Sequence, residues 1–273
     1  MTPPPRPGPL QRLAGWLQEA PPPPPLQLRL ELGASRLVQW LDLLTRVSGA
    51  GVTPMHAVAR ATALAIARTP GANAVFLRGQ CRSLPGVDLC LEVPGPDPAD
   101  EQRRCTWRWL RPRAELASVP ALSQEMQAGM AAVVPGQPLP PCSALITGQE
   151  AGGIELCQIP LPRGAACPLL LVLNPIEHVP CALHGAVVTR LLLRVHASFD
   201  PRVYDLHRAT ALLRELKLAL EEPRRLETVD QFTGNLTPAD TSTEMELPEP
   251  TGGQEGEPPE RAGGGEDAPR AEG

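Results

Sequence analysis

The stretch that decides the fold prediction is a nine-residue polar turn between a strand and a helix, Ser198-Phe199-Asp200-Pro201-Arg202-Val203-Tyr204-Asp205-Leu206. It ends an apolar run from Val187 to Phe199, whose length and composition predict a strand. Asp205 precedes a leucine-rich segment with helical spacing, which predicts that it caps a helix. Pro201 therefore stands in a turn that joins a long strand to a helix.

The helix after this turn has its apolar residues on one arc, and Glu222-Pro223 is expected to end it because proline disfavours the helical conformation of the residue before it. The arc comprises Leu206, Ala209, Leu212, Leu213, Leu216 and Leu220. One apolar arc on a helix predicts that a single side faces a core.

The N-terminal half alternates between strand and helix patterns. Alternate leucines from Leu26 to Leu32 predict a strand, and Ser35 is expected to cap a helix that ends at Gly49. Thr53-Pro54 predicts the start of an alanine-rich helix. One side of that helix is apolar, its opposite side is polar with His56, Arg60 and Arg68, and Leu64 interrupts the polar side, so we expect protein contacts on more than one face.

Further elements complete an alternating order. Val87 to Val93 predicts a strand, Pro120 to Val133 a helix, and Leu169 to Leu173 a buried strand. Alternating strands and helices indicate an α/β or α+β fold.

Composition divides the chain into three parts. Residues 1–25 form a proline-rich arm, since proline runs favour extended structure over helix. Residues 26–230 are the expected folded domain. Residues 231–273 form a tail rich in Gly, Pro and Glu that is expected to be disordered. From Thr233 onward there are ten acidic residues against two arginines, a local net charge of −8.

The composition also argues against several classes of function. The positive charges form no concentrated stripe, which argues against nucleic acid, and no apolar run is long enough to span a membrane. The seven cysteines never form a CxxC pair, which argues against a metal site. No secretory signal pattern opens the sequence, so we expect a cytoplasmic protein with reduced thiols.

Three segments in order resemble the catalytic domain of the 2-oxoacid dehydrogenase (dihydrolipoyl) acyltransferases. Pro70-Gly71-Ala72-Asn73-Ala74 resembles the Pro-x-x-Asn-Ala of that family, and Gly152-Gly153-Ile154 stands where the family has a Gly-Gly-Thr-Phe-Thr-Ile motif. Residues 198–206 resemble Ser-Phe-Asp-His-Arg-Val-x-Asp-Gly, and Leu220 to Leu226 resembles Leu-Glu-Asp-Pro-x-x-Leu. The resemblance implies a chloramphenicol acetyltransferase-like mixed sheet covered by helices, a homotrimer with sites between subunits, and acyl transfer with coenzyme A.

The same alignment implies that the catalytic groups are lost. Pro201 occupies the position of the family histidine that acts as general base, a role worth about 10²–10⁴-fold in rate. Gln158 occupies the approximate position of the serine that stabilises the oxyanion, and Leu206 replaces the motif glycine. Asp200, Arg202 and Asp205 are retained, and their expected role is to brace and cap the turn. No catalytic residue is intact in this prediction.

Other side chains are weaker candidates for the lost chemistry. His196 and His207 flank the motif, and we interpret both as packed or surface histidines rather than relocated bases. Cys157, beside Gln158, is interpreted as a structural thiol. The only lysine is Lys217, so the chain has no lipoyl attachment site of the Asp-Lys-Ala type.

Three functions stay open on sequence grounds. The leading one is a catalytically degenerate, trimeric structural or interaction module that partners an active acyltransferase paralogue or another protein. The second is an altered transferase that moves an acyl group between coenzyme A and a thiol or amine acceptor, and coenzyme A is the one cofactor that the resemblance allows. The third is a module that keeps the channel of the family to bind a ligand.

Overall fold

A computed structural model describes residues 24–97, 100–132, 138–148, 160–162, 166–183, 185–229 and 236–238. The described residues form one mixed sheet with helices on one face. The four helices are α1 (Ser35–Ser48), α2 (Pro54–Arg68), α3 (Val119–Gly129) and α4 (Leu206–Glu221). This architecture confirms the predicted fold class.

Twelve strands lie in the described residues. In chain order they are β1 (Leu26–Gly33), β2 (Ala74–Leu77), β3 (Gln80–Ser83), β4 (Leu89–Asp97), β5 (Asp100–Arg111), β6 (Ala131–Ala132), β7 (Ala144–Gly148), β8 (Leu169–Leu173), β9 (Glu177–Leu183), β10 (Ala186–Phe199), β11 (Glu227–Val229) and β12 (Leu236–Pro238).

The main sheet has the order β1-β10-β8-β7-β4-β5-β6, and β9 pairs with the first part of β10. Strands β8, β7 and β4 run parallel to one another, whereas the pairs towards both edges are antiparallel. Two short hairpins, β2-β3 and β11-β12, stand apart from it. β12 lies inside the segment that composition assigns to the tail.

The centre of the sheet is buried on both faces, which explains the continuous apolar run of β8. The main core on the helix side of the sheet includes three residues of β8: Leu169, Leu171 and Leu173. Leu170 and Val172 point to the other face, where they form a second cluster that includes three cysteines: Cys90, Cys142 and Cys167. In the described residues on that face, Leu139 and Leu161 pack against the cluster.

Several element predictions are confirmed, and two boundaries are corrected. β1, β8, β10 and the Asp205 cap of α4 match their predictions, and Gly49 ends α1 in the left-handed conformation. Ser35 is the first helical residue, preceded by Ala34 as N-cap without a side-chain hydrogen bond. α3 ends at Gly129 because the chain then pairs with β5 through β6.

The prediction that α2 contacts protein on more than one face is confirmed. All residues from His56 to Ile66 are buried, Arg60 and His56 included, because α1, α3 and α4 surround the helix. The interruption by Leu64 correctly predicted contacts on more than one side. Among the described residues, no helix is long and apolar enough to cross a membrane.

Candidate functional site

The turn after β10 is held by backbone hydrogen bonds on both of its sides. The N–H of Asp200 donates to the carbonyl of Pro168 at 2.8 Å, which extends the pairing with β8. The N–H groups of Val203 and Tyr204 donate to the Asp200 carbonyl at 3.0 and 2.9 Å. Pro201 lies inside this turn with its ring exposed to solvent. Proline suits the position because its own missing N–H leaves none of these bonds unmade.

Asp200 and Arg202 close the turn with a forked ion pair. The Asp200 carboxylate accepts from the Arg202 backbone N–H at 3.0 Å, from Nε at 2.9 Å and from Nη2 at 2.6 Å. The hydrogen bonds to Asp200 raise the pKa of Arg202. The two paired residues lie on either side of Pro201, so their ion pair braces the turn, as the sequence predicted.

The β2-β3 hairpin supports the turn from a second side. The Arg202 guanidinium carbon lies 4.3 Å from the centre of the Phe76 ring, a cation–π contact. The Cys81 thiol donates to the Arg202 carbonyl at 3.1 Å. Arg202 therefore has a fixed position although its side chain is 40% exposed.

Tyr204 links the turn to the Pro70–Ala74 motif. Its hydroxyl donates to the Ala72 carbonyl at 2.7 Å, and its ring meets Phe199 edge-on with centroids 5.0 Å apart. Burial raises the pKa of Tyr204, so the phenol stays protonated as a donor. Gly71 has φ +71°, and a Cβ there would approach the Arg208 guanidinium to 3.4 Å. Two of the three resembling segments thus meet in space.

Asp205 is the N-cap of α4, as predicted. Its carboxylate accepts from the backbone N–H of Arg208 at 2.7 Å. The Arg208 side chain folds back and donates from Nη1 to the Val203 carbonyl at 2.6 Å. Leu206, the residue in place of the motif glycine, begins the helix and is 59% exposed.

The polar side chains of the turn are used to hold the turn together. Proline has no side-chain group that takes a proton, and the carboxylates of Asp200 and Asp205 are engaged in the ion pair and the helix cap. The exposed residues of the turn are Pro201, Arg202, Asp205 and Leu206.

The described histidines are dispersed over the fold. His196 is buried in β10 opposite Arg29 and Val172, whereas His207 is exposed in the first turn of α4. His56 caps α2: its Nδ1 accepts from the Thr53 N–H at 3.0 Å, and burial lowers its pKa to about 4. Among the described residues, the hydrogen bonds that hold the turn do not involve His56 or His207.

Part of the predicted site lies outside the described residues. Gln158 and Gly152-Gly153-Ile154 belong to that part, and so does the neighbouring Cys157, which the sequence predicts to be a structural thiol. The oxyanion position therefore stays a prediction. Within the described ranges, no group of three His, Cys, Asp or Glu residues is arranged to hold a metal ion.

The sequence analysis missed the supporting contacts of Tyr204, Phe76 and Cys81. Tyr204 carried one usable signal, since it is the only tyrosine in the chain and follows directly after the motif arginine and valine. Phe76 and Cys81 carried none, because their contact with Arg202 joins segments more than a hundred residues apart.

We expect Tyr204→Phe to lower the free energy of unfolding by about 1–3 kcal/mol, because the buried Ala72 carbonyl loses its partner. The ring contact with Phe199 is kept, so the loss isolates the hydroxyl group. Urea unfolding measures it. Thr210→Ala, which removes an exposed hydroxyl from α4, is the control and should stay within about 0.5 kcal/mol. Equal losses in both variants would contradict a special role for the Tyr204 hydrogen bond.

Comparison with known proteins places the fold. No protein-family model matches the chain, and no curated protein matches its sequence. Solved structures do match. A probable dihydrolipoamide acetyltransferase from Listeria monocytogenes 4b F2365 is 15% identical, with 73% of this chain and 85% of that chain covered and a TM-score of 0.59.

Two further structures cover more of both chains. The dihydrolipoamide acetyltransferase of Azotobacter vinelandii is 16% identical, covers 82% of this chain and 98% of its own, and has a TM-score of 0.59. The cubic core of a pyruvate dehydrogenase multienzyme complex is also 16% identical, with the same coverage and a TM-score of 0.57. The chain therefore has the fold of the 2-oxoacid dehydrogenase acyltransferase catalytic cores.

Proposed function

We propose that this chain is a catalytically degenerate acyltransferase that serves as a trimeric structural or interaction module. The observation that carries the proposal is Pro201, held between the intact ion pair of Asp200 and Arg202. The turn keeps its ion pair and its helix cap, but it has no proton acceptor at its centre. This combination favours a structural role for the turn over a catalytic one. Its partner would be an active paralogue of the same fold, or another protein.

The spacing in a solved relative supports the alignment behind this proposal. In the Azotobacter vinelandii enzyme, a serine, a histidine and an asparagine were investigated for roles in the catalytic mechanism, and the histidine and asparagine are four positions apart. Pro201 and Asp205 have the same separation. Asp205 here caps a helix, so its polar side chain has a structural use that does not require chemistry.

Assembly is the second part of the proposal. One solved structure of this fold is the cubic core of a multienzyme complex, which supports association between copies. We expect native mass spectrometry to find trimers, alone or mixed with an active paralogue. A monomer at micromolar concentration in both experiments would overturn this part.

The activity test uses acetyl-coenzyme A and dihydrolipoamide, with an active acetyltransferase core as positive control. We expect no turnover above the uncatalysed rate, because the missing base alone removes about 10²–10⁴-fold. If turnover is observed and His196→Ala or His207→Ala abolishes it, that histidine acts as the general base, and the proposal is wrong. The Thr210→Ala variant serves as the matched control for surface substitution in the same helix.

The second candidate, an altered transferase that uses coenzyme A, draws support from exposed arginines. Arg202 presents part of its guanidinium to solvent, and Arg82 is exposed on the hairpin strand that contacts it. Arginine is well suited to phosphate groups. Calorimetry with coenzyme A tests this candidate: a binding heat that Arg82→Gln weakens would favour it, and the absence of any heat would rule it out.

A further inference from the structure

Strand β11 is attached to the domain through a buried carboxyl group at its first residue. Glu227, the first residue of β11, has no exposed surface. Its Oε1 accepts a hydrogen bond from the backbone N–H of Val119, the first residue of α3. The start of a helix favours a negative charge, because its free N–H groups form the positive end of the helix dipole.

The second oxygen of Glu227 is left without compensation. Among the described residues, the buried Oε2 has no hydrogen-bond partner, and the same is true of Nε of Arg60 on α2. Arg60 is 3% exposed and uses Nη1 to donate to the Glu115 carbonyl at 2.5 Å. The charges of Arg60 and Glu227 attract each other. Among the described residues, however, these two side chains do not form an ion pair. A buried carboxylate in this position is only half stabilised.

The other charges around this group are occupied elsewhere. Glu115 accepts from the Val87 N–H at 3.0 Å and lies 3.8 Å from Arg113. In the turn of 223–225 that packs on β11, Arg225 pairs with Glu222, and Arg224 is exposed. Arg68, on the same helix as Arg60, acts on Arg60 by repulsion. Within the part of the chain that the structure describes, Arg60 is therefore the charge that stabilises ionised Glu227.

We propose that Glu227 is a proton-controlled latch, which holds β11 on the start of α3 when neutral and loosens it when ionised. The geometry explains both the closed state and the loosened state. The neutral carboxyl group keeps Oε1 as acceptor for Val119 and no longer places a half-stabilised negative charge in the core. Ionisation restores that charge, and opening of the segment lets water solvate it.

The direction with pH follows from proton binding. Burial raises the pKa of Glu227 from 4.5 to about 7, against the opposing effects of the Val119 N–H and Arg60. An opened segment has the ordinary pKa of 4.5, so between pH 4.5 and 7 the closed state binds more protons than the open state. Rising pH therefore favours opening, and the opening equilibrium constant grows about tenfold from pH 6 to pH 8.

Hydrogen exchange of the full chain tests the latch. The protection factors of the backbone N–H groups at Val119 and in β11, corrected for the intrinsic pH dependence, should fall about tenfold from pH 6 to pH 8. Glu227→Gln should remove this dependence, since the amide imitates the neutral acid. Glu222→Gln, which alters an exposed carboxyl group five residues earlier, should keep it. Equal protection at both pH values in the unaltered chain would overturn the proposal.

A titration of the unaltered chain keeps the test decisive if Glu227→Gln does not fold. The carboxyl carbon of Glu227, followed by ¹³C NMR, should titrate with a midpoint near pH 7. A midpoint near the ordinary value of 4.5 would overturn the proposal without any variant. Neither experiment depends on acyl transfer, so the latch and the proposed function fail separately.

Discussion

Phe199→Ala is expected to lower the free energy of unfolding by about 3–5 kcal/mol, the range typical of a large aromatic side chain removed from a core. Phe199 is fully buried at the end of β10, between its neighbours Leu26 and Leu169. Its ring also contacts Tyr204 edge-on. The substitution therefore leaves a cavity beneath the turn that carries Pro201.

Urea unfolding with a common m-value measures the loss, and Leu206→Ala is the matched control within the same motif. Leu206 is 59% exposed, so its truncation should change the free energy by less than about 1 kcal/mol. A Phe199→Ala loss as small as that of the control would contradict the position of Phe199 as the buried anchor of the turn.

The elements around this anchor were predictable because their signals are local. Alternating leucines in β1, the apolar run of β8 and the cap at Asp205 each depend on spacing within a few residues. β5 and β9 were not predicted, because the charged residues of β5 and the proline in β9 are not typical of a strand. Pairing with β4 and with β10 supplies the order that their own residues do not signal.

The turn of the candidate site was predictable from the sequence, but the contacts that hold it were not. The residue types at 198–206 were enough to predict a turn between a strand and a helix capped by Asp205. What holds the turn is non-local: Ala72 accepts from Tyr204, and Phe76 lies under Arg202. Sequence spacing contains no information on such contacts, because the fold creates them between distant segments.

The environment of α2 is non-local in the same way. Leu64 predicted contacts on more than one face of the helix, but nothing near Arg60 in the sequence predicted the partners of this buried arginine. Its compensation comes from the Glu115 carbonyl and from the charge of Glu227, which the C-terminal segment brings across the helix layer. A buried arginine without a local acidic neighbour is a sign of such a distant partner, and it directs attention to the C-terminal end of the domain.

Arg60→Met is expected to show a pH-dependent loss of stability. At pH 8 Glu227 is mostly ionised, so removing Arg60 deletes the charge that stabilises it among the described residues. Because Glu227 can then take up a proton, the pH-dependent part of the loss is at most about 1.4 kcal/mol, and the free energy of unfolding should fall by about 2 kcal/mol in all. At pH 5 Glu227 is neutral, and the loss should shrink to about 1 kcal/mol, the value of the hydrogen bond to Glu115. Methionine keeps most of the apolar volume, so the cavity contribution stays small.

Urea unfolding at both pH values measures this difference, and Arg214→Met, an exposed arginine on α4, is the control that should stay within about 0.5 kcal/mol at each pH. Combining Arg60→Met with Glu227→Gln completes the cycle. If the two groups act on each other, the loss from Arg60→Met at pH 8 should fall to its pH 5 value once Glu227 is neutralised. An unchanged loss in the Glu227→Gln background would mean that Arg60 stabilises the helix layer without Glu227. Strand β11 would then have to be held by packing alone.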